Sequence, residues 1–185
     1  MIQYKFDRSK AIASILYVAN ILNRVDFHKL SKILYFAERK HLARFGRPIT
    51  GDWYIAMRNG PVPSNIYDYL KIVKGETSNK DESLKTYFEV EGAYFVTAKE
   101  QADKDELSET DLECLDESIK ENRNLSFETL TNKSHDSAWK NAPGDEKIDF
   151  IEIAKAEGAD QEMIEYIQDV VENRNLIFND CPKPI

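Results

Sequence analysis

Apolar residues recur at helical spacing over most of this 185-residue chain and switch to strand-like stretches in only two places. Ile12, Ile15, Leu16, Ala19 and Leu22 share one face and predict a helix over 7–23, capped by Asp7 or Ser9 and ended by Val25. Asp26 caps a second predicted helix over 27–44. Leu30, Ile33, Leu34, Ala37 and His41 form its inner face, which Tyr35, Phe36 and Leu42 widen. Lys29, Lys32, Arg39, Lys40 and Arg44 are expected mostly to face away. Gly46 stands where a left-handed residue ends a helix.

The run Arg47-Pro48-Ile49-Thr50-Gly51-Asp52 cannot continue a helix, because Pro48 fixes its own φ and pushes Arg47 toward an extended conformation. Residues 53–57 then read as a strand and Asn59-Gly60-Pro61 as a turn. Pro63 suits the first turn of a helix that runs to Lys74 and stops at Gly75. Residues 76–85 read as a polar loop and 86–98 as a hairpin around Glu91-Gly92, so that this hairpin and strand 53–57 predict a small antiparallel sheet. An acidic connector covers 99–107. Ser108 and Asp111 form a capping-box pattern before a helix to Asn122, and Ser126 caps another over 127–133. One more helical turn begins in 134–139 and is halted by Pro143-Gly144. Ile148, Ile151 and Ala154 mark a helix ending at Gly158. Asp160 caps a last one with Met163, Ile164, Ile167, Val170 and Val171 inward. The pattern predicts a mainly α (α+β) fold, a compact multi-helix domain over 1–180 with a small antiparallel β-sheet or hairpin, and a frayed tail over 181–185.

Composition fits a soluble globular protein, with 42% hydrophobic and 31% charged residues. Cys114 and Cys181 make no disulfide framework, residues 1–10 hold no signal-peptide core, and no apolar run approaches the roughly 20 residues that span a bilayer. A cytoplasmic protein without membrane attachment is expected. Charge changes the picture more. Residues 1–100 hold 16 Lys and Arg against 11 Asp and Glu, whereas residues 101–185 hold 9 against 22. One chain therefore carries a basic and an acidic half, with solvated acidic faces expected on the C-terminal helices.

Candidate chemistry is thin. Gly46 and Gly51 have the spacing of a phosphate-binding loop, but Asp52-Trp53 stands where Lys and Ser or Thr must meet phosphate and Mg²⁺. Glu38 and His41 share a helical face as in di-metal bundles, and a second such pair is missing. His135-Asp136 lacks a nucleophile elbow, and Cys114 on an acidic helix is poorly placed to form a thiolate. His135, Asp136 and Trp139 read as a structural cap at a helix start. No enzyme, cofactor or metal is expected. Helices 109–121 and 127–133 could form a helix-turn-helix, but their surroundings are acidic, so nucleic acid is disfavoured. The better basic surface is Lys29, Lys32, Arg39, Arg44, Arg47 and Arg58.

The run Lys32-Ile33-Leu34-Tyr35-Phe36-Ala37, then Gly46-Arg47-Pro48-Ile49-Thr50-Gly51-Asp52, Ala56-Met57 and Gly60-Pro61-Val62-Pro63, resembles the Panacea (SocA-like) antitoxin domain family. Leu107-Ser108 and Ser134-His135-Asp136-Ser137-Ala138-Trp139 resemble its C-terminal half, and the likeness covers about residues 8–170. The resemblance implies an antitoxin of a bacterial or phage toxin–antitoxin system. Such a protein neutralises a cognate toxin, typically encoded by the adjacent gene, by direct contact, without catalysis. The alternatives are a protease adaptor that presents the toxin for degradation, or a DNA-binding transcriptional regulator. An N-terminal DNA-binding domain of the kind some relatives carry is not expected here. Homo-oligomerisation is left open. Pro48, Gly51, Gly60, Pro61, Pro63, His135 and Trp139 match the family signature. Around the two proline turns, Arg47, Asp52, Tyr54, Arg58 and Tyr67 are the expected toxin contacts, since Tyr and Arg anchor interfaces.

Overall fold

The computed structural model describes the backbone of residues 4–78 and 81–179 and side chains as far as Val171. The predicted tail 181–185, with Cys181, lies outside the described residues. The chain is mainly helical with small antiparallel sheets. Its centre is α2 (Phe27–Phe45), which starts on the Asp26 carboxylate, bonded to the Lys29 amide at 2.8 Å, and ends on Gly46 with φ 64°. Around it pack α1 (Arg8–Leu22), α5 (Glu109–Asn122), α6 (Phe127–Ser134) and α8 (Phe150–Ala156).

This helix divides the interior. Ile33, Leu34 and Ala37 join a core with α1, α3 (Ser64–Lys74), α5 and the 88–98 hairpin. Tyr35, Phe36 and Leu42 join a second core with Tyr54, Leu130, Phe150, Ile153, Ile164 and Ile167. Burial on both sides explains why α2 shows a broad apolar arc, and it corrects the expectation that its cations face away. Lys32 is fully buried and Lys40 nearly so.

The predicted 86–98 hairpin forms, but strand 53–57 does not join it, and two separate sheets result. Val25 does not merely end α1. Val25–Asp26 is a short strand, β1, that pairs with β5 (Phe95–Ala98), which in turn pairs with β4 (Phe88–Glu91). The predicted strand is β2 (Tyr54–Met57), and it pairs instead with β3 (Gly60–Pro63), where a turn was expected at 59–61. Two prolines hid this strand. In the register, Pro61 faces Ala56 and Pro63 faces Tyr54. The backbone of Ala56 and Tyr54 bonds the opposite way, to Asp145, Glu146 and Ile148, at 2.8–3.0 Å. Both prolines therefore occupy positions whose amide would point away from β2, where a missing N–H costs no ladder bond. The polar loop 76–85 also needs correction, because α4 (Leu84–Tyr87) starts within it and Leu84 is fully buried.

The C-terminal half follows its caps. Ser108 and Asp111 close a full capping box on α5, Ser126 caps α6, and Asp136 caps α7 (Ser137–Asn141). Asp149 caps α8, and Asp160 accepts from the Met163 amide at the start of α9 (Gln161–Asn179). The acidic faces are not simply solvated. Arg44 pairs with Glu113 and Glu117, Lys40 with Glu117 and Glu121, and Arg39 with Asp136 and Glu157. Three cations of α2 therefore pair with carboxylates of the acidic C-terminal half. No helix among the described residues is long and apolar enough to cross a membrane.

Candidate functional site

The β2–β3 hairpin projects Met57, Arg58 and Asn59 at its tip, and several contacts fix that tip. Gly60 has φ 93°, and a Cβ there would collide with Ser134 Oγ and lie 3.0 Å from Lys32 Nζ, so glycine is required. Lys32 Nζ donates to the Pro61 carbonyl at 2.9 Å. Trp139 Nε1 donates to the Met57 carbonyl at 2.9 Å, and the His135 ring stacks on Trp139 at 3.7 Å and 6°. The signature residues Gly60, Pro61, His135 and Trp139 thus converge on one hairpin. The expected cap holds as well, since Asp136 accepts from the Trp139 amide at 3.0 Å.

In front of the tip lies an open groove of about 500 Å³. The N-terminus of α2 contributes Phe27, His28, Ser31 and Lys32. Tyr67 comes from α3, Tyr94 and Phe95 from the β4–β5 hairpin, and Phe127 from the start of α6. The rings brace each other. Phe27 meets Tyr67 and Tyr94 edge-on, with centroids 6.1 and 5.8 Å apart, and His28 stacks on Phe127 at 3.9 Å. Arg24 lies 3.8 Å over the Phe95 ring and Lys74 4.0 Å over Tyr94. Met57, Tyr94, Phe95 and Phe127 nevertheless remain 36–54% exposed, and they are four of the five large apolar residues exposed among those described. A clustered apolar surface of this kind marks an interaction site.

The groove is lined by two cations, Lys32 and Arg58, and by one carboxylate, Asp26. Burial pulls the Lys32 ammonium down to about 7 and the His28 imidazole to about 4. Arg58 is exposed and has no ion pair among the described residues. Asp26, the lining carboxylate, is engaged in capping α2.

Of the five contacts expected around the proline turns, the structure brings Arg58 and Tyr67 to this groove. The other three serve the fold. Asp52 is fully buried and accepts from the Asn65 amide (3.0 Å), the Asn65 side chain (2.8 Å) and the Ile66 amide (2.9 Å). It caps α3 from a distance, because the residue at the helix start, Pro63, has no side-chain acceptor. Tyr54 is 1% exposed and packs against Tyr35 in the second core. Arg47 reaches Ser108 and Thr110 at 3.0 Å and clamps the start of α5. Pro48 is half-buried in the link to β2, Gly51 takes φ 69° beside the Lys5 carbonyl, and Pro63 is buried in β3. Phe27, Tyr94, Phe95 and Phe127 were missed. Tyr94 and Phe95 at a hairpin bend and Phe127 directly after a helix cap were the available signal, whereas Phe27, which also follows a cap, is buried and gave none.

The rejected chemistry finds structural uses. Gly46 and Gly51 both take positive φ, as two turns require. Glu38 accepts from the Ile49 amide, and burial holds its carboxyl up at about 8 despite that bond. His41 Nδ1 lies 2.7 Å from the Arg47 carbonyl and Nε2 3.0 Å from Asp111. Burial would raise Asp111, but bonds from His41, Lys10 and the Ser108 amide hold it well below the usual carboxylate range. Burial pushes the Cys114 thiol up to about 12. No group of three or more His, Cys, Asp and Glu among the described residues could hold a metal ion.

Neither the curated proteins nor the solved structures gave a match. The model of the antitoxin SocA-like, Panacea domain family matches residues 30–140. That segment is more than half of the chain and supplies most of the groove, from Ser31 to Phe127. By this match the chain belongs to the antitoxin SocA-like, Panacea domain family.

Proposed function

We propose that this chain is the antitoxin of a bacterial or phage toxin–antitoxin pair. It binds the cognate toxin, encoded by the neighbouring gene, directly in the cytoplasm and seats it on the groove between the β2–β3 hairpin, α2, α3 and α6. The carrying observation is the gathering of Met57, Tyr94, Phe95 and Phe127 into one exposed patch, within a domain of the antitoxin family. A surface whose rings are already braced loses little side-chain freedom on binding, which lowers the ordering cost of a complex. The mechanism needs no catalysis. Occlusion of the toxin by the bound domain is sufficient.

Co-expression tests the reading. The neighbouring open reading frame is expressed alone and with this chain, and growth and co-purification are followed. Toxicity relieved together with a stable complex is the expected result. The paired variant Tyr67→Ala, Phe127→Ser should weaken the complex by more than tenfold, as loss of two interface anchors of roughly 1–2 kcal/mol each implies. Relief without a complex would overturn direct binding in favour of degradation or repression, and a harmless neighbour would overturn the antitoxin reading.

A further inference from the structure

Lys32 is the least expected residue of the groove. Its side chain is fully buried, yet it lines the cavity, and its ammonium makes a single hydrogen bond, to the Pro61 carbonyl. An ammonium has three donors, so two are left without a partner among the described residues. No carboxylate of the described fold lies within ion-pair distance of it, in contrast to Lys40, Arg39 and Arg44 on the same helix. Across the hairpin tip, Arg58 is likewise without a carboxylate. The groups that face Lys32 are His28 from its own helix, His135 and Ser134 from the end of α6, and Gly60 and Pro61 from β3. Burial lowers both histidines, and none of these groups is acidic; the carboxylate that lines the same groove, Asp26, caps α2 through the Lys29 amide. The rings of Phe27, Tyr67, Tyr94 and Phe127 line the same groove.

We infer that the groove receives a protein segment carrying an apolar side chain beside one or more carboxylates, with the apolar group seated among the rings and a carboxylate paired with exposed Arg58 and complementing the buried charge of Lys32 in the groove wall. The inference rests on the reading of the groove as the toxin seat only for the partner's identity. Its chemistry follows from the lining. A buried ammonium with open donors is complemented by an anion, and the surrounding rings require that the anion be attached to apolar surface. An acidic segment also discriminates. A basic segment would add like charge beside Lys32 and Arg58, and a neutral one would leave both as unpaired as they are in the free chain. Because the ammonium sits at about 7, a carboxylate that arrives near neutral pH also draws a proton onto it.

The test uses the full chain and a random dodecapeptide display library. Enriched peptides should pair an aromatic or branched aliphatic residue with Asp or Glu within about four positions. For synthetic copies of these peptides, Lys32→Met and Arg58→Glu should each weaken binding by about tenfold or more. The wild type should also bind about tenfold more weakly at pH 8.5 than at pH 6.5, a dependence that Lys32→Met abolishes. Arg58 is exposed, so Arg58→Glu remains informative if the core variant folds poorly. Enriched peptides without carboxylates, an empty selection, or binding indifferent to both substitutions would overturn the inference. No toxin takes part in this measurement. A harmless neighbouring gene product therefore defeats the antitoxin reading alone, and a failed selection defeats this inference alone.

Discussion

Glu38 carries a carboxyl 1% exposed, whose protein partner is the Ile49 amide at 3.3 Å. Burial, opposed by that bond and reinforced by Asp52 and Asp111, holds it at about 8. The sign of its effect on stability follows. An unfolded glutamate titrates near 4.3, so between about pH 4.3 and about pH 8 the native state keeps a proton that the unfolded state has lost. Stability from this group therefore falls as pH rises through that window, by about 1.4 kcal/mol per unit at most. Glu38→Gln keeps an acceptor for Ile49 and removes the titration. Urea unfolding at pH 5 and pH 8 should show a flatter pH slope for the variant and a higher midpoint than wild type at pH 8. An unchanged slope would mean that Glu38 is ionised in the fold. The sequence places Glu38 and His41 on one helical face but cannot say that each is claimed by a different partner, because Ile49 and Asp111 reach them only through tertiary packing.

At the scale of elements, the same division between local and distant causes decides what was legible. Caps made by a neighbour three residues away, at Asp7, Asp26, Ser108 and Ser126, can be read directly because the bond spans a single turn. The α3 cap cannot, because its acceptor is Asp52, eleven residues before Pro63, the residue at the N-cap position. The β3 strand was illegible for a related reason. Proline argues against a strand unless its amide would face away from the ladder, and that depends on register with β2. Asp52→Ala tests the α3 assignment. It strands the Asn65 amide, the Asn65 side chain and the Ile66 amide in a buried place, at a cost of roughly 1–3 kcal/mol. Thermal unfolding should show this loss, while the remaining folded protein binds its partner with unaltered affinity. A variant with native stability and lost binding would return Asp52 to the interface.

At the scale of the whole molecule, the basic and acidic halves of the chain turn out to be each other's partners, with α2 cations facing the carboxylates of α5 and the α8–α9 link. Composition exposed the asymmetry, but only the packing shows which charges are already paired and that, among the described residues, Lys32 and Arg58 have no carboxylate partner. Lys32 then opposes the stability of the fold. An unfolded lysine titrates near 10.4, and burial brings the native one to about 7. Below pH 7 both states are protonated and the full cost of the buried charge is present. As pH rises from about 7 toward 10.4, the native state releases the proton first and that cost fades. Lys32→Met replaces the ammonium by an apolar group of similar length. It should be at least as stable as wild type at pH 6.5, with an advantage that narrows by pH 9.5, as urea midpoints at the two values would show. The same variant should lose partner binding. A core position where an apolar residue is both better for the fold and worse for binding is where a stability cost reports a functional demand. A variant that is instead less stable at pH 6.5 than at 9.5, relative to wild type, would show that the ammonium is satisfied within the fold and would leave the groove no charge to offer.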